Sequence, residues 1–302
     1  MKLAVTGATG FVGGRLLDLA LAAGHRVRAL TRREQSPRDG VEWIGGALDR
    51  PESLARLTEG ADAVIHIAGV INAPSEAAFE AGNVTGTAAM LEAAKRAGVA
   101  RFVHVSSLSA REPGLSQYGR SKAKSEALVE ASGLSFAIVR PPAVYGPGDR
   151  ETLELFKMAS RGFLLMPPAG RLSLIHVDDL GRLLLALAET DAPTGAVIEP
   201  DDGRPGGWSH GEFAVELGRA VGRPRVMTLA APPSVMKLAA RADTLLRGAK
   251  AKLTPDRAAY FCHPDWVVDP ARRPAPSLWQ PAVDTPQGLK DTAGWYSANG
   301  WL

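Results

Sequence analysis

A glycine-rich turn, Thr6-Gly7-Ala8-Thr9-Gly10-Phe11-Val12-Gly13, joins a short apolar run, Leu3–Thr6, to an amphipathic stretch, Phe11–Ala23. A strand that turns over glycine straight into a helix is the first half of a βαβ unit. The pattern then repeats. Short apolar runs follow at Val27–Thr31, Val41–Gly45, Ala63–Ile67, Phe102–Ser106, Phe136–Arg140 and Leu172–Val177. Helical periodicity fills the gaps, notably at Ala77–Ala97, Tyr118–Ala131 and Asp179–Ala188. Most of the runs are apolar on both faces, as expected when helices cover both sides of a parallel sheet. The expectation is an α/β fold with a doubly wound parallel sheet over residues 1–190, of which 149–171 contribute to a second lobe.

After about Gly195 the pattern changes. Ser209-His210-Gly211-Glu212 reads as a capping box opening a helix to about Val221. Thr254-Pro255 and Thr285-Pro286 each read as an N-cap with proline at the first helical position. Asp269–Pro286 is proline-rich and reads as irregular. Residues 191–302 are therefore expected to form a smaller, mostly helical C-terminal lobe.

Composition narrows the class. The 302 residues carry a net charge of only +3, with the arginines scattered, which argues against a nucleic-acid-binding stripe. A single cysteine, Cys262, leaves no internal disulfide and fits a reducing compartment. No stretch approaches the ~20 apolar residues of a membrane span, and Met1–Thr6 runs into the glycine turn without a cleavage signal. The expectation is a cytoplasmic protein. The six histidines lack metal-ligand spacing, so no metal site is expected.

The turn has a chemical reading. Gly7 permits the tight turn, Gly10 a close approach of pyrophosphate, and Gly13 close helix–sheet packing. The helix N-terminus offers unpaired N–H groups and a positive dipole end to phosphate. At the end of the second run, where an acid would bind a ribose 2′-OH, the chain has Thr31-Arg32-Arg33. Two guanidinium groups suit a 2′-phosphate, so NADP is favoured, with NAD the alternative; a solvated basic strand end is the bland reading. Further on, Tyr118 and Lys122 stand at i and i+4 and share a helix face. A nearby ammonium is expected to lower the tyrosine pKa, letting it exchange a proton with a substrate oxygen that Ser107 also binds. Tyr/Lys pairs are common on helices, and Ser106-Ser107 could simply cap a strand end.

With these pieces in order, the chain resembles an extended short-chain dehydrogenase/reductase of the NAD(P)-dependent epimerase/dehydratase superfamily. The matching segments are TGATGFVG at Thr6–Gly13, Leu48-Asp49, HIAG at His66–Gly69, NVTGT at Asn83–Thr87 and VSS at Val105–Ser107. YGRSK at Tyr118–Lys122, RPPAVYGPGD at Arg140–Asp149 and IHVDDL at Ile175–Leu180 complete the series, which covers about the first 190 residues. The resemblance implies a Rossmann fold. It places Gly7, Gly10, Phe11 and Val12 at the pyrophosphate, Leu48 and Asp49 by the adenine, and Ala68 and Gly69 by the adenine-side ribose. It puts Pro141 and Val144 at the nicotinamide, gives Lys122 the nicotinamide ribose, and makes Ser107, Tyr118 and Lys122 the catalytic set. Asn83 would support the central helix or a proton-relay water.

Two departures narrow the substrate. Only Leu108–Gln117 separates Ser107 from Tyr118, so the substrate-facing loop is short, and Arg171 is one position out of register for the phosphate-binding arginine of sugar-nucleotide members. Both bring the chain nearer to dihydroflavonol reductases and 3β-hydroxysteroid dehydrogenases. The leading expectation is thus an NADP-dependent oxidoreductase acting on a carbonyl or alcohol of a small, rather apolar molecule, with the substrate between sheet and lobe. A nucleotide-sugar epimerase/dehydratase that retains its cofactor, and a cofactor-bound structural or regulatory subunit, are the alternatives. A homodimer through the alanine-rich helices carrying NVTGT and YGRSK is a candidate assembly. His66 and His104 are expected in the core or near the cofactor, and an aspartate of Asp178-Asp179 is expected to cap the helix that follows. The late tryptophans Trp266, Trp279, Trp295 and Trp301 are expected to pack the small lobe.

Overall fold

The computed structural model describes residues 1–190, 194–248, 251 and 253–302. Two compact units divide the chain: residues 1–141, 178–199 and 274–280 form the first, and 142–177, 200–273 and 281–302 the second. The boundary expected at 190/191 runs into residues 191–193, which lie outside the described residues.

The first unit holds a seven-stranded sheet: β1 (Lys2–Thr6), β2 (Arg26–Thr31), β3 (Val41–Gly45), β4 (Ala63–His66), β5 (Arg101–Val105), β6 (Phe136–Val139) and β7 (Ala196–Ile198). All neighbours pair in parallel, in the order β7-β6-β5-β4-β1-β2-β3. The register sets Val5 of β1 opposite Ala29 of β2 and Ile65 of β4. β4, β5 and β6 are buried at every residue, because helices cover both faces and leave no polar side to the strand. The order in which strands are added reverses between β1 and β4, the switch point at which open α/β sheets bind ligands beyond the strand ends.

Helices α1 (Phe11–Ala22), α2 (Pro51–Thr58), α3 (Gly86–Arg96), α4 (Gln117–Glu130) and α5 (Val177–Glu189) complete this unit. The single helix expected at Ala77–Ala97 is three pieces: a short α-turn Glu76–Phe79, a π-helical segment Glu80–Thr85, and α3. The core joins Leu54 and Leu57 of α2, Met90 and Leu91 of α3 and Phe102 of β5. Gly181 of α5 packs on α1, where a β-carbon would come within 2.6 Å of the Leu19 methyl.

The second unit combines helices with three small sheets. The run Leu172–Val177, expected to extend the central sheet, instead breaks at Ser173. Leu174–His176 pairs with Ala143–Tyr145, while Arg171–Leu172 pairs with Trp208–Ser209 and Asp265–Trp266. The buried Ser173 hydroxyl donates to Asp201, which Arg273 also grips through two nitrogens, and this polar contact pins the break. The capping box forms as expected at Ser209, with Glu212 returning the hydrogen bond to the Ser209 N–H. Thr254 caps the helix Pro255–Phe261. Thr285 does not cap the last helix: Asp284 does, because the Thr285 hydroxyl donates to Asp202 at 2.7 Å. Trp266 stacks on Tyr260 and Trp295 packs edge-on against Trp301. Trp279 belongs to the first unit instead, its indole N–H donating to the Asp179 carbonyl.

Candidate active site

The glycine turn after β1 has the shape its sequence implies. Gly7 takes φ +76°, and a β-carbon there would press to 2.8 Å from the Ala68 nitrogen beyond β4. At Gly13 a β-carbon would stand 2.1 Å from the Gly7 carbonyl oxygen, so helix and turn touch through bare backbone. Gly10 opens α1 in an extended conformation without a side-chain cap, and no acidic residue sits in the first turn. Phe11 and Val12, in that turn, are half-buried. The first helical N–H groups have no intrahelical acceptor, so this end fits an anion such as a pyrophosphate.

At the end of β2, the Thr31 hydroxyl donates to the Arg33 carbonyl at 2.6 Å and so shapes the turn. The Arg32 and Arg33 side chains are exposed, and neither is ion-paired among the described residues. Glu34 therefore does not neutralise them. Leu48 is half-buried against Gly86, where a β-carbon would lie 2.7 Å from a Leu48 methyl, and Asp49 is exposed.

Beneath the ends of β1 and β4 runs a buried polar ladder that sequence reasoning missed. The Ala68 N–H donates to the Thr6 hydroxyl, which lies 2.7 Å from His66 Nδ1. His66 Nε2 lies 3.1 Å from the Thr87 hydroxyl, and that hydroxyl donates to the Asn83 carbonyl. Since Thr87 uses its own proton on Asn83, His66 must donate from Nε2 and accept at Nδ1. Burial and the nearby Lys122 ammonium lower the His66 pKa to about 3, so the ring is neutral and the ladder runs one way. The Asn83 side chain, placed by the π-helical segment, accepts from the Val70 N–H, donates to the Val70 carbonyl and donates to Ser121 of α4. One asparagine thus ties the loop after β4 to α4. The only signal for this in the sequence was polar residues, Thr6 and His66, closing otherwise apolar runs.

Ser107, Tyr118 and Lys122 are brought together by two local devices. Ser107 caps a single 3-10 turn, Leu108–Arg111, after β5. Ser116 caps α4 by accepting from the Gly119 N–H at 2.9 Å. Gly119 has to be glycine, because a β-carbon would reach 2.6 Å from the Ser109 carbonyl oxygen. The start of α4 therefore lies flat on that turn and brings Tyr118 to Ser107. The Ser107 oxygen accepts from the Ser109 hydroxyl and the Ser109 N–H, which leaves its own proton for the Tyr118 oxygen. Lys122, buried one turn on, donates to the Val105 carbonyl at 3.0 Å. A β-carbon on Gly69 would sit 3.1 Å from the Lys122 nitrogen, so glycine keeps the approach to the ammonium open.

The expected lowering of the Tyr118 pKa is not found. Burial pushes the phenol above its ordinary value, and the hydrogen bond with Ser107 opposes the rise. Lys122, lowered by burial to about 8, has lost its charge before a phenol held above its ordinary value titrates; its ammonium donates to the Val105 carbonyl, and the groups that feel its charge are His66 and His104. Burial also lowers Lys122 itself to about 8, with Glu126 pulling the other way. Glu126 is clamped through both oxygens by Arg140, which also reaches Glu199.

Pro141 is buried and its carbonyl accepts from the Leu108 N–H, so it belongs to this cluster. Val144 lies in the second unit, half-buried and paired in register with Ile175. The Arg15 guanidinium holds Asp178, in the first turn of α5, through both carboxylate oxygens, at 2.6 and 2.9 Å. Asp179 pairs with Arg182. Among the described residues no cluster of ligands could hold a metal ion, and no helix is long and apolar enough to cross a membrane.

Known proteins match the chain over most of its length. The family model "NAD dependent epimerase/dehydratase family" matches residues 3–198. A ceramide reductase of Caulobacter vibrioides is 38% identical, covering 99% of this chain and 96% of its own. A 2-alkyl-3-oxoalkanoate reductase of Stenotrophomonas maltophilia is 29% identical, covering 96% of this chain and 98% of its own. Among solved structures, a human epimerase family protein with NADPH superposes with a TM-score of 0.75 at 21% identity, covering 97% of this chain and 99% of the other. That last likeness concerns the fold alone.

Proposed function

The chain belongs to the NAD-dependent epimerase/dehydratase family and is an NAD(P)-dependent enzyme of the oxidoreductase or epimerase kind, and from that premise we propose that it is an NADPH-dependent reductase of an apolar carbonyl compound. The observation that carries the reading is the Ser107–Tyr118 hydroxyl pair beside the buried Lys122, reached over Gly69. The alternative of a non-catalytic subunit would not need this set.

The bound nicotinamide would supply the hydride. In the cradle, the open N-terminus of α1, with Gly7, Gly10, Phe11, Val12 and Gly13, would receive the pyrophosphate. Leu48 and Asp49 would border the adenine and Ala68 with Gly69 the adjoining ribose, while Arg32 and Arg33 would take a 2′-phosphate. Lys122 would hold the nicotinamide ribose, and Pro141 would face the ring. As a carbonyl carbon gains hydride, the C=O electron pair moves to oxygen and that oxygen takes the Tyr118 proton. A phenol held above its ordinary pKa is protonated at neutral pH and is ready to donate, which suits the reducing direction. As substrate enters, Ser107 would turn its one proton from the Tyr118 oxygen to the same substrate oxygen and stabilise the developing charge.

Two further observations favour an apolar ketone over a nucleotide sugar. The Arg171 guanidinium is occupied by the Gly206 and Gly207 carbonyls. The full-length relatives above are named for reductions of a ceramide and of a 2-alkyl-3-oxoalkanoate. The test is loss of NADPH absorbance over a panel of long-chain ketones and nucleotide sugars. Turnover of a ketone that Tyr118→Phe lowers by ~100-fold or more is expected. Undiminished turnover in that variant refutes the mechanism. Tightly retained cofactor with turnover of nucleotide sugar alone refutes the reductase assignment.

A further inference from the structure

Eight of the twelve large hydrophobic side chains exposed on the described residues lie in two adjoining stretches of the second unit. The first is a two-stranded parallel ribbon in which Phe163 pairs with Met227 and Leu165 with Leu229. These four point to one face and are exposed, whereas Leu164 and Met166, on the other face, are buried. The second is the helix Pro233–Arg247, which starts just after the ribbon. It buries only Met236 and Ala240. Its remaining apolar side chains, Val235, Leu238, Ala239, Ala242, Leu245 and Leu246, recur at intervals of three and four and form one face. That face is turned to solvent: Leu238 is 69%, Leu246 82% and Leu245 88% exposed. An ordinary surface helix does the opposite.

The charge of this stretch identifies what covers it. Between residues 223 and 252 there are seven Lys/Arg and one acid, Asp243, a balance of +6 in a chain whose total is +3. Lys237 and Arg241 flank the apolar face, are exposed, and have no ion-pair partner among the described residues. A second copy of the chain placed face to face would bring like charge against like, which disfavours a symmetric dimer here. An apolar face bordered by lysine and arginine suits an interface of acyl chains below anionic headgroups.

We propose that the outer face of this ribbon and helix docks on an anionic lipid bilayer, with the helix lying in the headgroup plane. The inference stands on the surface alone; an apolar substrate dissolved in the same bilayer would give it a use.

The test is flotation of the whole protein with phosphatidylcholine vesicles and with mixed phosphatidylcholine/phosphatidylglycerol vesicles. Binding to the mixed vesicles, weakened by added salt, is expected. Leu238→Asp/Leu245→Asp/Leu246→Asp should abolish it, while NADPH binding, read by fluorescence, is unchanged and reports that the fold survives. Lys237→Gln and Arg241→Gln should each weaken partition to the mixed vesicles by about fivefold without touching the apolar face. No flotation with either vesicle, or equal flotation of the triple variant and the parent, overturns the proposal. So does a dimer, by light scattering, that the triple variant dissolves while the parent ignores vesicles. Vesicle binding without any ketone turnover would refute the reductase reading and leave this one intact.

Discussion

The buried histidines make the fold sensitive to mild acid in a calculable way. His66 and His104 stack at 5.6 Å under the strand ends, and both are buried. Burial first, and then the Lys122 charge, lowers His66 to about 3 and His104 in the same direction. In the unfolded chain each returns to an ordinary pKa of ~6.5. As pH falls below that value the unfolded state binds two protons that the native state refuses. Stability is therefore complete above about pH 6.5 and declines as pH drops toward the native value. The slope is about 1.4 kcal/mol per pH unit for each histidine once well below 6.5, and integration from pH 7 to 5 gives about 2 kcal/mol each. Other titrating groups overlay this, so the measurement is a difference. Urea unfolding at fixed ionic strength, between pH 5 and 8, would compare the parent with His66→Gln, His104→Gln and the double variant. The parent should lose about 4 kcal/mol more than the double variant over that interval, and about 2 more than either single one. His66→Gln also breaks the ladder from Thr6 to Asn83 and so lowers stability at every pH; the slope, not the intercept, carries the test. Parallel curves for parent and double variant would refute neutral, buried histidines.

Three further outcomes follow from the site. With Lys122 at about 8, turnover that needs the ammonium should fall as pH rises through that value, and Lys122→Arg should remove this limb from the pH profile of kcat/KM. Arg32→Ala and Arg33→Ala should each weaken NADPH binding by about tenfold or more and leave NADH unchanged, since a charge-assisted hydrogen bond contributes roughly 1.5–3 kcal/mol; equal losses for both cofactors in a fluorescence titration would place the 2′-phosphate elsewhere. Gly13→Ala would set a β-carbon 2.1 Å from the Gly7 carbonyl oxygen, a backbone atom that cannot swing aside. It should cost about 1–3 kcal/mol, or more, with a lowered Tm and weakened binding of either cofactor.

The parts legible in the sequence are those governed by short-range rules. β1 and α1 are marked by an apolar run, a glycine turn and a 3.6-residue period, all within the first 22 residues. The capping box at Ser209 is equally local. The site residues Ser107 and Tyr118 were readable as a spacing, but their meeting depends on Gly119 lying against the Ser109 carbonyl, a tertiary contact. Two errors have the same origin. The run Leu172–Val177 has strand composition, and only Asp201 and Arg273, distant in sequence, decide that it breaks at Ser173. The strand Ala196–Ile198 is just three residues long, too short for period or composition to mark, yet it pairs along its whole length with β6.

The tyrosine shows why spacing alone misjudged the electrostatics. Placing Lys122 four residues after Tyr118 puts both on one helical face, but burial lowers Lys122 to about 8, so its charge is lost before a phenol held above its ordinary value titrates. Below that value the ammonium, held by the Val105 carbonyl, adds to burial in keeping the two histidines neutral, and the phenol keeps its proton. The reduction we propose needs that order: Tyr118, as its donor, must hold its proton until charge develops on the substrate oxygen. Asn83 supports the same arrangement from the other side, joining Val70 to Ser121 so that the loop beyond β4 and the start of α4 move as one piece. Holding donor and cofactor loop in one rigid frame reduces the reorganisation required as charge develops, which is where such a site gains most of its rate.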